Sequence, residues 1–260
     1  MRKNSMICLI VLIFLPSAIM FAQTDVQYLQ HRVLASFDDQ LEGDFLGNSF
    51  SWIVRANGGN VIVRSEEGEE LRDPEPISAR FQTYPRALYN RNNPPPENPQ
   101  ALGTRASFLR QGYNYLEFIP VYADNPNKGI PIPGIATQLD LWVWGSNHNY
   151  YMEVHLRDYR GVEHVINLGS LYFNGWRNVS GYVPNIIPQA DFHDSLGKVL
   201  ELTKIVLWTT PNERVDGFSV YLDEVKVFTN VFSAPYDGDS LADPDNPNTI
   251  EALWKAQEAN

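Results

Sequence analysis

Cysteine is almost missing from this chain: Cys8 is the only one in 260 residues. No disulfide can form within the chain, so the fold has to be held by an ordinary hydrophobic core. Basic residues are also scarce, 20 against 31 acidic, for a net charge of −11. That balance argues against nucleic acid and anionic lipid as partners. No apolar run reaches the ~20 residues that span a bilayer, which predicts no membrane insertion. Catalytic spacings are absent too: there is no G-x-S-x-G elbow, no H-E-x-x-H and no phosphate-binding glycine loop. The five histidines are dispersed. The chain therefore reads as a non-enzyme.

What is present starts with an export signal. Arg2 and Lys3 precede an apolar run from Met6 to Leu15, and small and apolar residues lead to Ala22. This predicts a signal peptide over 1–22, with cleavage after Ala22 and Ala18 as the alternative. Cys8 lies inside its apolar core, without the context of a lipoprotein anchor. Removing the signal takes away two basic residues and no acid, so the mature charge becomes −13.

From Val33 onward, β-branched and aromatic residues cluster in runs of five to ten between Gly, Pro, Asn and Asp. About eleven strands follow, with no helix between them. This predicts an all-β fold over 23–232, an antiparallel β-sandwich of jelly-roll type. Pro94, Pro95, Pro96 and Pro99 make 90–100 an exposed proline-rich loop, because proline cannot donate to a ladder. The stretch 233–260 reads as an acidic C-terminal tail ending in a short helix from Thr249 to Gln257.

Two groups of residues are candidates for sites. In the central strands, Leu139, Leu141 and Val143 alternate with Asp140, Trp142 and Trp144, and Met152, Val154 and Leu156 alternate with Tyr151, Glu153, His155 and Arg157. If the two strands are neighbours joined by the Gly145 to Asn149 turn, one face gathers Trp142, Trp144, Tyr151, His155 and Arg157. Such a face suits a protein interface or the stacking of sugar rings. The second group is Asp38, Asp39, Asp223 and Glu224. If the first and last strands run side by side, these four could meet around Ca²⁺. No other cofactor is expected. The change of parity from Val220 and Leu222 to Val225 and Val227 predicts a bulge at Asp223 and Glu224.

An ordered series of motifs from Lys128 to Phe232 carries a family resemblance. It comprises Gly129-Ile130-Pro131-Ile132-Pro133-Gly134-Ile135, Leu141-Trp142-Val143-Trp144-Gly145-Ser146-Asn147-His148-Asn149, Leu156-Arg157-Asp158-Tyr159-Arg160-Gly161 and Leu168-Gly169-Ser170-Leu171-Tyr172-Phe173-Asn174-Gly175-Trp176-Arg177, and more loosely Pro184-Asn185-Ile186 and Val220-Tyr221-Leu222-Asp223-Glu224-Val225-Lys226. The series resembles the spirochaetal flagellar filament outer layer (sheath) protein FlaA family. The resemblance implies a structural sheath subunit on the periplasmic flagellum. It would pack against flagellin core subunits, other sheath proteins and copies of itself, and influence filament shape and motility. Ser146 stands where the family carries Arg. The competing expectation is a secreted or periplasmic carbohydrate-binding jelly-roll module.

Overall fold

The structure is a computed structural model that describes residues 29–57, 63–64, 70–71, 76–110, 113–190 and 199–231, with Lys255 and Gln257 in a helical segment. The export segment 1–22, most of the tail 233–260 and His193 lie outside the described residues.

Fifteen strands follow one another among the described residues: β1 (Leu29–Ala35), β2 (Glu42–Gly43), β3 (Ser49–Ala56), β4 (Val63–Arg64), β5 (Glu70–Leu71), β6 (Ile77–Phe81), β7 (Ala101–Ala106), β8 (Tyr115–Tyr122), β9 (Ile130–Pro131), β10 (Ile135–Ser146), β11 (Tyr151–Arg157), β12 (Glu163–Ser170), β13 (Asn174–Tyr182), β14 (Glu201–Trp208) and β15 (Phe218–Asn230). A 3₁₀ turn, Arg86–Leu88, leads into the proline-rich loop. The first sheet runs β13-β10-β15-β7-β6, with β1 also on β15. The second runs β12-β11-β14-β8-β3-β2, with β9 also on β14. Strands β4 and β5 form a separate two-stranded ribbon. Each pairing is antiparallel, and the chain passes back and forth between the two sheets, as jelly-roll connectivity requires.

Alternation along the strands builds the core. Leu139, Leu141 and Val143 of β10 and Val220, Leu222, Val225 and Val227 of β15 are buried on the inner face of the first sheet. Met152, Val154 and Leu156 of β11 meet them from the second sheet, beside Leu202, Ile205 and Leu207 of β14 and Leu116 and Phe118 of β8. Fully burying each such side chain is worth about 1.5–3 kcal/mol, so this layer dominates the stability of the fold.

Strand β15 is long enough to serve two neighbours on one edge. Residues 225–230 pair with β1 and residues 218–222 with β7, while β10 holds the other edge. Asp223 and Glu224 fall at the change of partner. There the register against β10 slips between Asp140 and Trp142, and Glu224 adopts φ 46°. This is the bulge read from the parity change. Strand β14 repeats the device, pairing with β9 at Glu201 and Leu202 and with β8 from Ile205 to Trp208.

Strand β7 escapes the sequence reading. Its residues, Ala-Leu-Gly-Thr-Arg-Ala, have weak strand propensity. The structure supplies the reason for so small a strand. A Cβ on Gly103 would stand 2.5 Å from Cδ2 of Phe81 and 2.7 Å from Cε1 of Tyr221, so aromatic rings from both neighbouring strands close over it.

Candidate functional site

The two central strands are not neighbours. β10 sits between β13 and β15 in one sheet, and β11 sits between β12 and β14 in the other. The segment between them crosses the sandwich instead of forming a hairpin. Asn147 takes φ 59° and donates its backbone N–H to Phe173 O at 2.9 Å. His148 is buried against Tyr150 and Phe218 at the corner, and its Nε2 accepts a hydrogen bond from Arg214 Nε at 3.1 Å. The expected single face is therefore corrected: Trp142 and Trp144 lie on the outside of one sheet, and Tyr151, His155 and Arg157 on the outside of the other. The parity along each strand matches the reading, but the assumed hairpin does not form.

On the first sheet the register sets Trp144 between Trp176 of β13 and Tyr221 of β15. Trp144 and Tyr221 meet edge to face, with centroids 5.5 Å apart and planes at 89°. Phe81 meets Tyr221 at 5.4 Å and 80°. Together with Gln82 and Thr83 these four rings line an open cavity of about 360 Å³. Trp142 stands further along β10, opposite Asp223, and its Nε1 is buried without a hydrogen-bond partner. Asp140 accepts from Asn178 Nδ2 at 2.7 Å and lies 3.9 Å from Lys226 Nζ.

The outer face of the second sheet mixes rings with ion pairs. Tyr151 stacks on Trp208 at 6.4 Å and 16°, and Trp208 packs on Tyr115 at 4.9 Å. Trp208 Nε1 donates to Glu153 Oε2 at 2.8 Å. Arg157 reaches Glu201 through two nitrogens and donates to Asn127 O at 2.8 Å. His155 stands opposite Lys204, which pairs with Glu117 at 2.6 Å. Burial first, and then the Lys204 charge, hold the His155 imidazole below its ordinary pKa. Glu153 at 3.6 Å is beyond hydrogen-bond reach, and both ring nitrogens of His155 lack a partner.

Of the four carboxylates considered for Ca²⁺, Asp38, Asp223 and Glu224 stand near one another. Asp38 and Glu224 are close enough to Asp223 to disfavour its charge, and burial does so more strongly, pushing the Asp223 carboxyl up to about 8. Asp38 spends Oδ1 on the backbone N–H of Gln100 at 2.9 Å, and Glu224 binds Lys226 at 2.9 Å. Asp39 instead lines a separate depression with Ser36 and Glu42. Among the described residues, no group of three or more His, Cys, Asp or Glu is placed to hold a metal ion. The first and last strands do run side by side, as the sequence reading assumed.

Sequence reasoning missed Trp176, Tyr221 and Phe81 as companions of Trp144. Trp176 and Tyr221 lie inside the motifs that carried the family resemblance, but their meeting depends on the pairing of β10 with both β13 and β15.

With this geometry in view, comparison with known proteins assigns the chain. Residues 58–235, well over half of it, match the flagellar filament outer layer protein FlaA family. The chain belongs to that family. The matched span includes the motifs on β10 to β15 and most of both sheets. A flagellar filament outer layer-like protein of Brachyspira hyodysenteriae is 26% identical to this FlaA-family chain over 139 residues, 54% of this chain and 62% of that protein, so the match spans under two thirds of the relative's length. Among solved structures, a family 11 carbohydrate-binding module from Clostridium thermocellum aligns with 76% of this chain and 97% of its own at 10% identity and a TM-score of 0.34. A family 29 carbohydrate-binding module from Piromyces equi aligns with 68% and 91% at 11% identity and a TM-score of 0.31. Likeness at this level carries no argument about function. Among the described residues of the FlaA-family chain, no helix is long and apolar enough to cross a membrane.

Proposed function

We propose that this FlaA-family chain is a structural subunit of the outer layer of the periplasmic flagellar filament. It packs around the flagellin core and beside copies of itself and other sheath proteins, and so influences filament shape and motility. The family match across the sandwich is the observation that carries this reading. The separation of the two aromatic faces supports it. A coat subunit needs one surface toward the core and others toward its lateral neighbours, and such head-to-tail contacts need not close into a ring. Trp, Tyr and Arg are the residues that concentrate binding energy at interfaces. Here they lie on opposite sides of a rigid sandwich, with Trp142 and Trp144 on one and Tyr151, Trp208 and Arg157 on the other. Export through the N-terminal signal would deliver the subunit to the periplasm.

Fractionation tests the reading. The protein should co-sediment with purified periplasmic flagella, and filaments from a deletion strain should differ in diameter or curvature by cryo-electron microscopy. Recovery only in the soluble periplasmic fraction, with unchanged filaments, would overturn it. Cross-linking of intact filaments would then tell which sheet faces the core.

A further inference from the structure

The pocket on the outer face of the first sheet has features that a flat protein contact does not need. Trp144, Trp176, Tyr221 and Phe81 supply four aromatic rings, and the near-perpendicular settings of Tyr221 to both Trp144 and Phe81 give a floor and walls. Gly103 makes this possible, since any Cβ there would displace Phe81 and Tyr221. The non-aromatic lining is Gln82 and Thr83. Gln82 is held in place from the proline-rich loop, its Nε2 donating to Asn98 Oδ1 at 2.7 Å, which leaves its Oε1 as an acceptor. None of the six lining residues is charged. Further along β10 and β15, Lys226 is engaged with Asp140 and Glu224.

We infer that this pocket is a binding site for a short neutral saccharide, with a pyranose ring seated on the Trp144, Trp176 and Tyr221 surface and its hydroxyls met by Gln82 and Thr83. The chemistry of the lining selects that class. The C–H face of a pyranose carries a weak positive charge that the negative face of an aromatic ring attracts. Its hydroxyls need neutral donors and acceptors at the rim. An uncharged lining offers no cation to a phosphate or a carboxylate, and the net charge of −11 repels nucleic acid, the other common ring-stacking ligand. The volume lies at the lower end of the ~300–1,000 Å³ typical of small-ligand sites, which suits roughly one or two sugar rings. This inference does not depend on the sheath role, and its failure would leave that reading intact.

Isothermal titration of the purified protein with cellotetraose and with chitotetraose tests it, with choline chloride as a cationic probe. Saturable binding of at least one saccharide is expected, weakened about tenfold or more by Trp144→Ala or Trp176→Ala and unchanged by Ile186→Ala. Gln82→Ala, at the rim and away from the core, should weaken binding without altering the circular dichroism spectrum, and it serves if a tryptophan variant does not fold. Three results would each overturn the inference: no saccharide binding up to about 10 mM, binding unaffected by Trp144→Ala and Gln82→Ala, or binding of choline but of neither saccharide, which would make the rings a cage for a cation.

Discussion

Glu42 and Arg80 meet at one end of the sandwich, with Oε1 and Nη2 3.6 Å apart and each side chain only 6% exposed. Glu42 belongs to β2 in the second sheet and Arg80 to β6 in the first, so the pair ties the two layers. Around it, the other carboxylate oxygen of Glu42 accepts the backbone N–H of Ser36 at 2.7 Å and of Phe37 at 3.2 Å, while Trp52 Nε1 donates to Oε1 at 3.0 Å. Arg80 Nη1 donates to Phe37 O at 2.9 Å. Burial raises the Glu42 pKa more than its donors and Arg80 lower it, so the carboxylate depends on keeping all of them.

Arg80→Ala should therefore cost about 3–5 kcal/mol, the penalty of leaving a buried charge without its partner. Urea denaturation measures this directly. A loss below about 1 kcal/mol would show that the pair does not join the sheets.

Asp223 predicts a pH dependence of the opposite sense to ordinary acid denaturation. With its carboxyl pushed up to about 8 by burial, then Asp38 and Glu224, the folded chain holds a proton that the unfolded chain releases near the usual carboxyl value of 3.8. Stability from this group is present below that value and is lost as pH rises toward 8. The loss is on the order of a few kcal/mol. Asp223→Asn should match the wild type near pH 4 and exceed it above pH 8 in denaturation midpoint. Equal midpoints at both pH values would disprove the assignment.

Asp158 shapes the turn after β11. Its Oδ1 accepts the backbone N–H of Arg160 and of Val162, each at 2.9 Å, and Oδ2 meets His164 Nε2 at 3.0 Å. Burial opposes ionisation here, but these partners outweigh it and hold the carboxyl below its ordinary value. The stability it contributes is present above that value and fades as pH falls through the lowered one. Asp158→Ala should cost about 2–3 kcal/mol at neutral pH, and the difference from wild type should shrink at a pH well under the usual carboxyl value of 3.8. Guanidinium titrations at the two pH values would show whether the difference narrows.

Gly145 ends the run of inward positions on β10 where the chain prepares to cross between sheets. A Cβ there would lie 2.6 Å from the backbone oxygen of Phe173, which cannot swing aside as a side chain can. Gly145→Ala should cost about 1–3 kcal/mol and lower the melting temperature by several degrees. An unchanged melting curve would mean that the crossing is looser than the structure shows.

Trp144 and Tyr151 are seven residues apart in the chain but lie on opposite faces of the sandwich. The effects of Trp144→Ala and Tyr151→Ala on stability should therefore add to within about 0.5 kcal/mol. A coupling energy beyond 1 kcal/mol in the double-mutant cycle would place them on one surface after all.

How far the chain could be read follows from what each residue reports. The inward and outward positions of β10 and β11 were legible, because alternating apolar and polar side chains state which positions face the core whatever the neighbouring strand is. The bulge at Asp223 and Glu224 was legible for the same reason, since an extra residue inverts parity on one strand alone. Strand β7 was not, because Gly103 is bare to suit rings contributed by Phe81 and Tyr221, more than twenty residues and more than a hundred residues away.

By itself the sequence determined the all-β class, the inward and outward sides of the long strands and the family, all of which are written in local order along the chain. The tertiary structure alone decided which outward residues share a face. Parity is a property of one strand, whereas partnership is set by where the chain goes next. At Asn147 and His148 it goes across the sandwich, where a buried imidazole at the corner packs against Tyr150, just before β11, and Phe218 of β15. That one crossing separates Trp144 from Tyr151 and gives it Trp176, Tyr221 and Phe81 instead.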